Sequence, residues 1–260
     1  MTQVTKFWPI LTGTHRYDKS LSTRNRGAGR IIEAPILAYL IETRNGRILY
    51  DVGCDYGKLI DPERRARYYG KENFPFGPPE MTEEQRLPNR LEQLGLGPLD
   101  VDVVFVGHLH FDHGGGLADM AHAEIHLHER EYQAAHEPAD DAYFIDDFAG
   151  DYHWRLAAGE YTVTPGVEAL ETPGHTAGHM SLFIELPKGA PIILSGDAAD
   201  LEENLTQEVA PGLCWHDRED LALASIRKLK RIAGETGAWL WPNHDMAFYR
   251  RLKAFPGFYE

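Results

Sequence analysis

Residues 101–116 read VDVVFVGHLHFDHGGG, an apolar run that empties directly into His108, His110, Asp112 and His113. Such a run, rich in Val and Phe and broken by glycine, has the length and composition of a buried strand. His108 and His110, two residues apart, point the same way from extended backbone, and a turn then brings Asp112 and His113 around toward a second point. Gly114, Gly115 and Gly116 permit close backbone approach and a tight bend. A single histidine at a strand end is ordinarily a hydrogen-bonded structural residue; four metal-capable side chains within six residues point to a metal instead. A cation such as Zn²⁺ takes three or four protein donors, so further ligands must come from elsewhere. His175 in ETPGHTAGH, Asp197 in IILSGDAAD and His244 in WLWPNHD each follow an apolar segment, as expected if strand ends converge on one rim.

Outward from this segment, strand patterns recur at 36–42, 47–51, 124–127, 161–163, 168–170, 180–185 and 192–194. Asn45-Gly46 predicts a type I′ hairpin turn between the first two. Helical periodicity covers 82–94, 129–135 and 218–232, the last with Asp217 as its cap and Gly234 as its end. Strands in meandering groups with helices between the groups indicate an α/β sandwich, not a strict βαβ alternation. With no repeat, low-complexity tract or linker, residues 1–260 are read as one domain. The stretch 56–80, rich in Arg, Tyr, Gly and Pro, is a loop excursion with three readings: a lid, a homodimer contact or a plain surface insertion.

The chain of 260 residues is 43% hydrophobic and 25% charged, the proportions of a soluble globular protein. Its net charge of -14 argues against nucleic acid and anionic membrane surfaces as partners. No apolar stretch approaches the ~18 residues of a membrane span, and MTQVTKFWPI lacks a basic segment followed by an apolar one. Cys54 and Cys214 form neither a disulfide framework nor a C-x-x-C pair. A cytoplasmic setting is expected.

H-x-H-x-D-H followed by separate His, Asp and His positions resembles the metallo-β-lactamase superfamily, over nearly the whole chain. The resemblance implies an αββα sandwich holding two divalent metal ions, with zinc the first choice and Mn²⁺, Fe²⁺ and Co²⁺ also suited to the donors. It assigns His108, His110 and His175 to one ion, Asp112, His113 and His244 to the other, and Asp197 to a bridge between them. Asp51 in RILYDVG would support the site without binding metal. Within the superfamily, PILAYLIETRNGRILYDVG, HLHFDHGGG, EREYQAA, VTPGVEALETPGHTAGHMSLFIEL, LALASIRKLK, NHD and FPGFYE resemble N-acyl homoserine lactone lactonases and related small-lactone hydrolases. That implies hydrolytic opening of a lactone ring, with Asp112 passing a proton to the leaving alkoxide, and quorum quenching as the outcome. Alternatives are another small lactone of the butyrolactone or pyridoxolactone type, a thioester hydrolase of the glyoxalase II kind, or a phosphodiesterase. A di-iron redox protein of the flavodiiron type would carry an acidic residue at His110 and a flavin domain. A binding protein that kept the fold without catalysis would have no use for a complete ligand set.

One position departs from that pattern. The lactonases carry a Tyr three residues after the bridging Asp, where this chain has Asp200. An ionised carboxylate cannot donate to an oxyanion, so another donor replaces the Tyr, the metal does that work alone or the substrate differs, and Asp200 is expected to read a donor group on the substrate or to be held away from its carbonyl. Asn243 before His244 is a milder change. His126 and His128 repeat the i, i+2 spacing without a following carboxylate–His pair and are read as structural, His179 as orienting a ligand or loop. His15, His122, His136, His153 and His216 have no partner pattern, and Cys54 is read as an inert thiol. Phe7, Trp8, Tyr17, Tyr56, Phe74 and Phe76 are candidates for pocket lining.

Overall fold

The computed structural model describes residues 1–137 and 140–260. Strands β1 (Val4–Asp18), β2 (Ile31–Thr43), β3 (Gly46–Tyr50), β4 (Val103–Phe105), β5 (Glu124–His128) and β6 (His153–Ala157) form one sheet in that order. Strands β7 (Tyr161–Thr164), β8 (Val167–Glu171), β9 (Met180–Ile184), β10 (Ile192–Leu194) and β11 (Trp239–Trp241) form a second, ordered β11-β10-β9-β8-β7. The first sheet is antiparallel through β3 and parallel from β3 to β6. In the second, only β10 and β11 are parallel.

Strand periodicity explains the layering. In β2, Leu37, Tyr39 and Ile41 face the second sheet and pack with Leu182, Ile184, Leu194 and Trp241, while Ala38 and Leu40 turn outward. The outward residues meet Leu87 and Leu91 of the helix Leu87–Glu92. On the far side, Leu229 of the helix Glu219–Thr236 packs on Leu170 and Ile193. Both faces of the central strands are therefore buried, which is why they read as near-continuous apolar runs. The result is the expected αββα sandwich.

Several local expectations change. The β2–β3 turn leaves Arg44 and Asn45 between the paired Thr43 and Gly46, and only Gly46 has a positive φ, 129°, so the turn is not type I′. The expected 82–94 helix is a 3-10 turn, Glu83–Gln85, then Leu87–Glu92. Pro88 lacks the N–H an unbroken helix needs and sits instead in a first turn. The long C-terminal helix runs through Gly234 to Thr236 and ends at Gly237 with φ 70°. Asp217, itself at φ 61°, makes no side-chain cap.

The 56–80 segment is not a bare loop. Helices Tyr56–Ile60 and Pro62–Tyr68 are capped by Asp55 and Asp61, whose side chains accept from Lys58 and from Glu63 and Arg64. Tyr69 and Phe74 then pack edge-on with Phe111 and Phe144 at centroid distances of 5.0–5.8 Å among the ring pairs Tyr69–Phe74, Tyr69–Phe111, Tyr69–Phe144 and Phe74–Phe111. Ile60 and Phe76 remain exposed on the outer side. Beneath this cluster Lys58, fully buried, donates to Asp147 Oδ1 at 2.5 Å and lies 4.2 Å from the Tyr68 ring centroid. Burial pushes the Asp147 carboxyl up to about 7 against the pull of Lys58. Removing one member of such a pair strands the other charge in the core. Lys58→Met is accordingly expected to lose about 3–5 kcal/mol in equilibrium urea unfolding, and Lys58→Met/Asp147→Leu to recover most of it. A Lys58→Met loss under ~1 kcal/mol would show that the pair does not hold this wall.

Candidate metal centre

Loops at the ends of strands from both sheets meet at one rim. The turn after β4 is pressed against the chain after β3: Val52 donates to His113 O at 2.8 Å and Gly116 to Gly53 O at 3.1 Å. A Cβ on Gly116 would lie 2.3 Å from Val52 O and one on Gly115 2.6 Å from Asp55 N, so both positions require glycine. This packing delivers His108, His110, Asp112 and His113. The loops after β8, β10 and β11 deliver His175, Asp197 and His244.

All seven come together in two sets. Donor atoms of His108, His110 and His175 lie within 4.8 Å of one another, as do those of Asp112, His113 and His244. Asp197 stands between them. Its Oδ2 faces His175 Nε2 at 3.5 Å and His108 Nε2 at 3.8 Å, and its Oδ1 faces His244 Nε2 at 3.1 Å and His113 Nε2 at 3.3 Å. His110 Nδ1 and His175 Nε2 approach to 3.1 Å.

Two observations test whether these residues fit a metal. Nε2 of His108 and of His113 are buried with no hydrogen-bond partner, which is costly unless something else satisfies them. The other nitrogen of most rings is already fixed: His113 Nδ1 against Asp51 Oδ2 at 2.7 Å, His244 Nδ1 against Pro35 O at 2.9 Å, His175 Nδ1 against Leu213 O at 3.2 Å and His110 Nε2 against Asp140 Oδ2 at 3.2 Å. Metal-binding imidazoles are held in this way, one nitrogen anchored and one free. Asp51 itself sits at φ 60° and accepts from Gly107 N at 2.8 Å, so it supports His113 as expected.

The electrostatics agree. Burial disfavours the charged form of every ring here. It prevails at His108, with His113 adding to it, and at His175, which falls to about 4. At His113 and His244 burial is outweighed, chiefly by Asp197, so that His113 lies well above the ordinary range and His244 at about 10. Burial is likewise overcome at Asp197, which His244 and His113 hold well below the usual carboxylate range. The carboxylates thus favour positive charge at His113 and His244, and burial opposes it at His108 and His175.

Supporting residues surround Asp197. Its backbone N–H donates to His179 Nε2 at 2.9 Å, and Thr172 fixes the other nitrogen of that ring, which gives His179 the orienting place expected for it. Asn243 Nδ2 donates to Asp197 Oδ1 at 3.0 Å. His126 and His128 bond to Glu124 and Tyr161 and to Glu171, away from the rim. Glu131, fully buried, was not legible as a site residue. Its Oε1 accepts from Leu109 N at 3.1 Å and Tyr143 OH at 2.8 Å, its Oε2 from Thr176 Oγ1 at 2.6 Å and Gly178 N at 3.1 Å. One carboxylate thus ties the His110 turn to the His175 turn.

Above the rim lies a pocket bounded by His15, Tyr17, Leu21, Phe111, Ala142 and Leu213 together with six residues of the floor, Asp200 among them. Asp200 is buried, its Oδ1 has no partner, and burial followed by Asp197 pushes its carboxyl well above the ordinary range. Of the aromatics offered as lining, Tyr17 reaches the pocket. Phe7 lies in the inter-sheet core, Trp8 in the outer one and Phe74 in the aromatic cluster. His15, read as a residue without a role, lines the pocket beside Tyr17, because positions two apart on β1 share a face.

A sandwich whose two sheets each contribute part of an H-x-H-x-D-H, His, Asp, His rim defines a class, and the chain belongs to the metallo-β-lactamase superfamily, whose family model matches residues 32–244. Among its relatives, an N-acyl homoserine lactonase of a Bacillus species is 34% identical over 257 residues, spanning 97% of this chain and 98% of that protein. The N-acyl homoserine lactonase AiiA of Bacillus thuringiensis subsp. kurstaki is 33% identical over the same shares. A solved N-acyl homoserine lactone hydrolase, with the product N-hexanoyl-L-homoserine bound at its catalytic metal center, superposes with a TM-score of 0.89 at 31% identity, covering 99% of this chain and all of that one.

Proposed function

We propose that this protein is a dinuclear metal-dependent hydrolase that opens the ring of N-acyl homoserine lactones, a quorum-quenching lactonase. The observation that carries the reading is Asp197, one carboxylate with an oxygen turned to each of two donor sets. Full-length similarity to N-acyl homoserine lactonases supports the substrate class. His108, His110 and His175 would hold one ion, Asp112, His113 and His244 the other, with Asp197 between. Imidazole and carboxylate donors without thiolate suit zinc. When bound, such ions supply a Lewis acid for a carbonyl and bring the pKa of water toward neutrality.

The chain's own residues do the rest. Phe111 and Ala142 form an apolar wall for an uncharged acyl lactone, and Leu21 and Leu213, both more than 40% exposed, flank the opening. Asp112, which lines the pocket, takes the proton released as water adds to the carbonyl and delivers it to the ring oxygen as the C–O bond breaks. Among the described residues no helix is long and apolar enough to cross a membrane, and a cytoplasmic setting fits the two free cysteines. Elemental analysis of purified protein is expected to find about two metal ions per chain. A pH-indicator assay is expected to register one acid equivalent per N-acyl homoserine lactone opened, with negligible turnover of β-lactams. Turnover of a thioester or phosphodiester but of no lactone would sink the substrate reading.

A further inference from the structure

A hydrogen-bond donor placed where charge develops on the carbonyl oxygen adds to what a metal supplies there, and the floor of this pocket is crowded with carboxylates: Asp112, Asp197 and Asp200. Among the described lining residues, Tyr17 alone carries an alcohol or phenol hydroxyl. Its Oη lies 2.9 Å from Ser22 Oγ, and Ser22 is fully buried. Either hydroxyl can be the donor in that pair. With Ser22 donating, the Tyr17 proton is free to point into the pocket. We infer that Tyr17 is the phenol that donates to the scissile carbonyl oxygen, held in place by Ser22, in the lactone hydrolysis proposed above, on which this inference rests.

The placement has physical support beyond proximity. Tyr17 and His15 project from one face of β1, and their rings stand 5.2 Å apart, with His15 in turn 5.6 Å from Phe74 and 5.9 Å from Phe111. The phenol is therefore braced by the aromatic wall on one side and by Ser22 on the other, as a preorganised donor must be. Burial raises the phenol well above the ordinary tyrosine range, so it keeps its proton. Asp200 carries no phenol, lines the same pocket and has an Oδ1 without a partner.

Tyr17→Phe removes the hydroxyl and keeps the ring. On N-hexanoyl homoserine lactone the metal-loaded variant is expected to lose ~30-fold or more in kcat while KM changes less than about threefold, the pattern of an interaction made in the transition state. Metal content and thermal midpoint are expected to match the parent, which separates this from a structural role. Ser22→Ala should lower kcat in the same direction and by less. Tyr17→Phe with kcat within twofold of the parent overturns the inference while leaving the lactonase reading intact. So does a result in which Asp200→Asn abolishes turnover and Tyr17→Phe does not. If the parent opens no lactone but cleaves a thioester, the lactonase reading falls, and the same kcat split on that thioester still decides whether Tyr17 serves the carbonyl.

Discussion

Asp197→Ala is expected to cut lactone kcat/KM by far more than the ~10- to 100-fold that follows when a residue merely supporting a metal ligand is lost. The reason is geometric. One side chain presents Oδ2 to His175 and His108 and Oδ1 to His244 and His113, so its removal takes a donor from both sets at once. Metal content by elemental analysis should fall with activity. The loop itself should stay in place, because His179 grips the backbone N–H at 197 and not the carboxylate. His110→Ala, which takes a donor from one set, is the milder comparison. An Asp197→Ala protein that keeps its full metal complement and rate would remove this carboxylate from its assigned place.

Glu131→Ala should damage both the fold and the metal site. Four donors, two backbone and two hydroxyl, converge on this carboxylate in a site without solvent access. Unpaired buried groups cost ~1–3 kcal/mol each, so even with partial relaxation a loss of at least ~3 kcal/mol in urea unfolding is expected. The chelator concentration needed to strip metal should also fall, since the turns carrying His110 and His175 are no longer tied together and outer partners are worth ~10- to 100-fold in affinity. Glu131→Gln offers a sharper comparison: it keeps the shape but sets an amide NH₂ against two donors. Wild-type stability and chelator resistance in both variants would rule out the tie.

The donor residues could be read from the sequence because each follows an apolar run, and the end of a buried strand is a place with few alternatives. Their division into two sets came from resemblance, and the distances to the two Asp197 oxygens agree with it. The pocket walls were less legible. β1 carries Pro9 and Gly13 and mixes polar with apolar residues, so it has no clean alternation. Pro9 is tolerated because β1 is the edge strand of its sheet, with only isolated bridges to Tyr259 and Glu80 on its outer side. With β1 unseen, His15 and Tyr17 had no reason to share a face. Glu131 left no trace either. In EREYQAA it is one of two carboxylates, and its partners are loop groups 12 to 47 residues away. Nothing in spacing or composition encodes such a convergence. The misplaced helix boundaries are propensity overridden by one proline and one left-handed glycine.

The donors are also separated in time. Chains fold as they are made, N-terminal parts first, and the H-x-H-x-D-H turn leaves the ribosome long before its partners. The three-histidine set becomes complete once His175 has emerged, whereas the set containing Asp112 and His113 waits for His244, after β11 has been added beside β10. During that interval Asp112 and His113 stand ready without their third member. The last donor of the first set thus precedes the last donor of the second by 69 residues of chain, from 175 to 244.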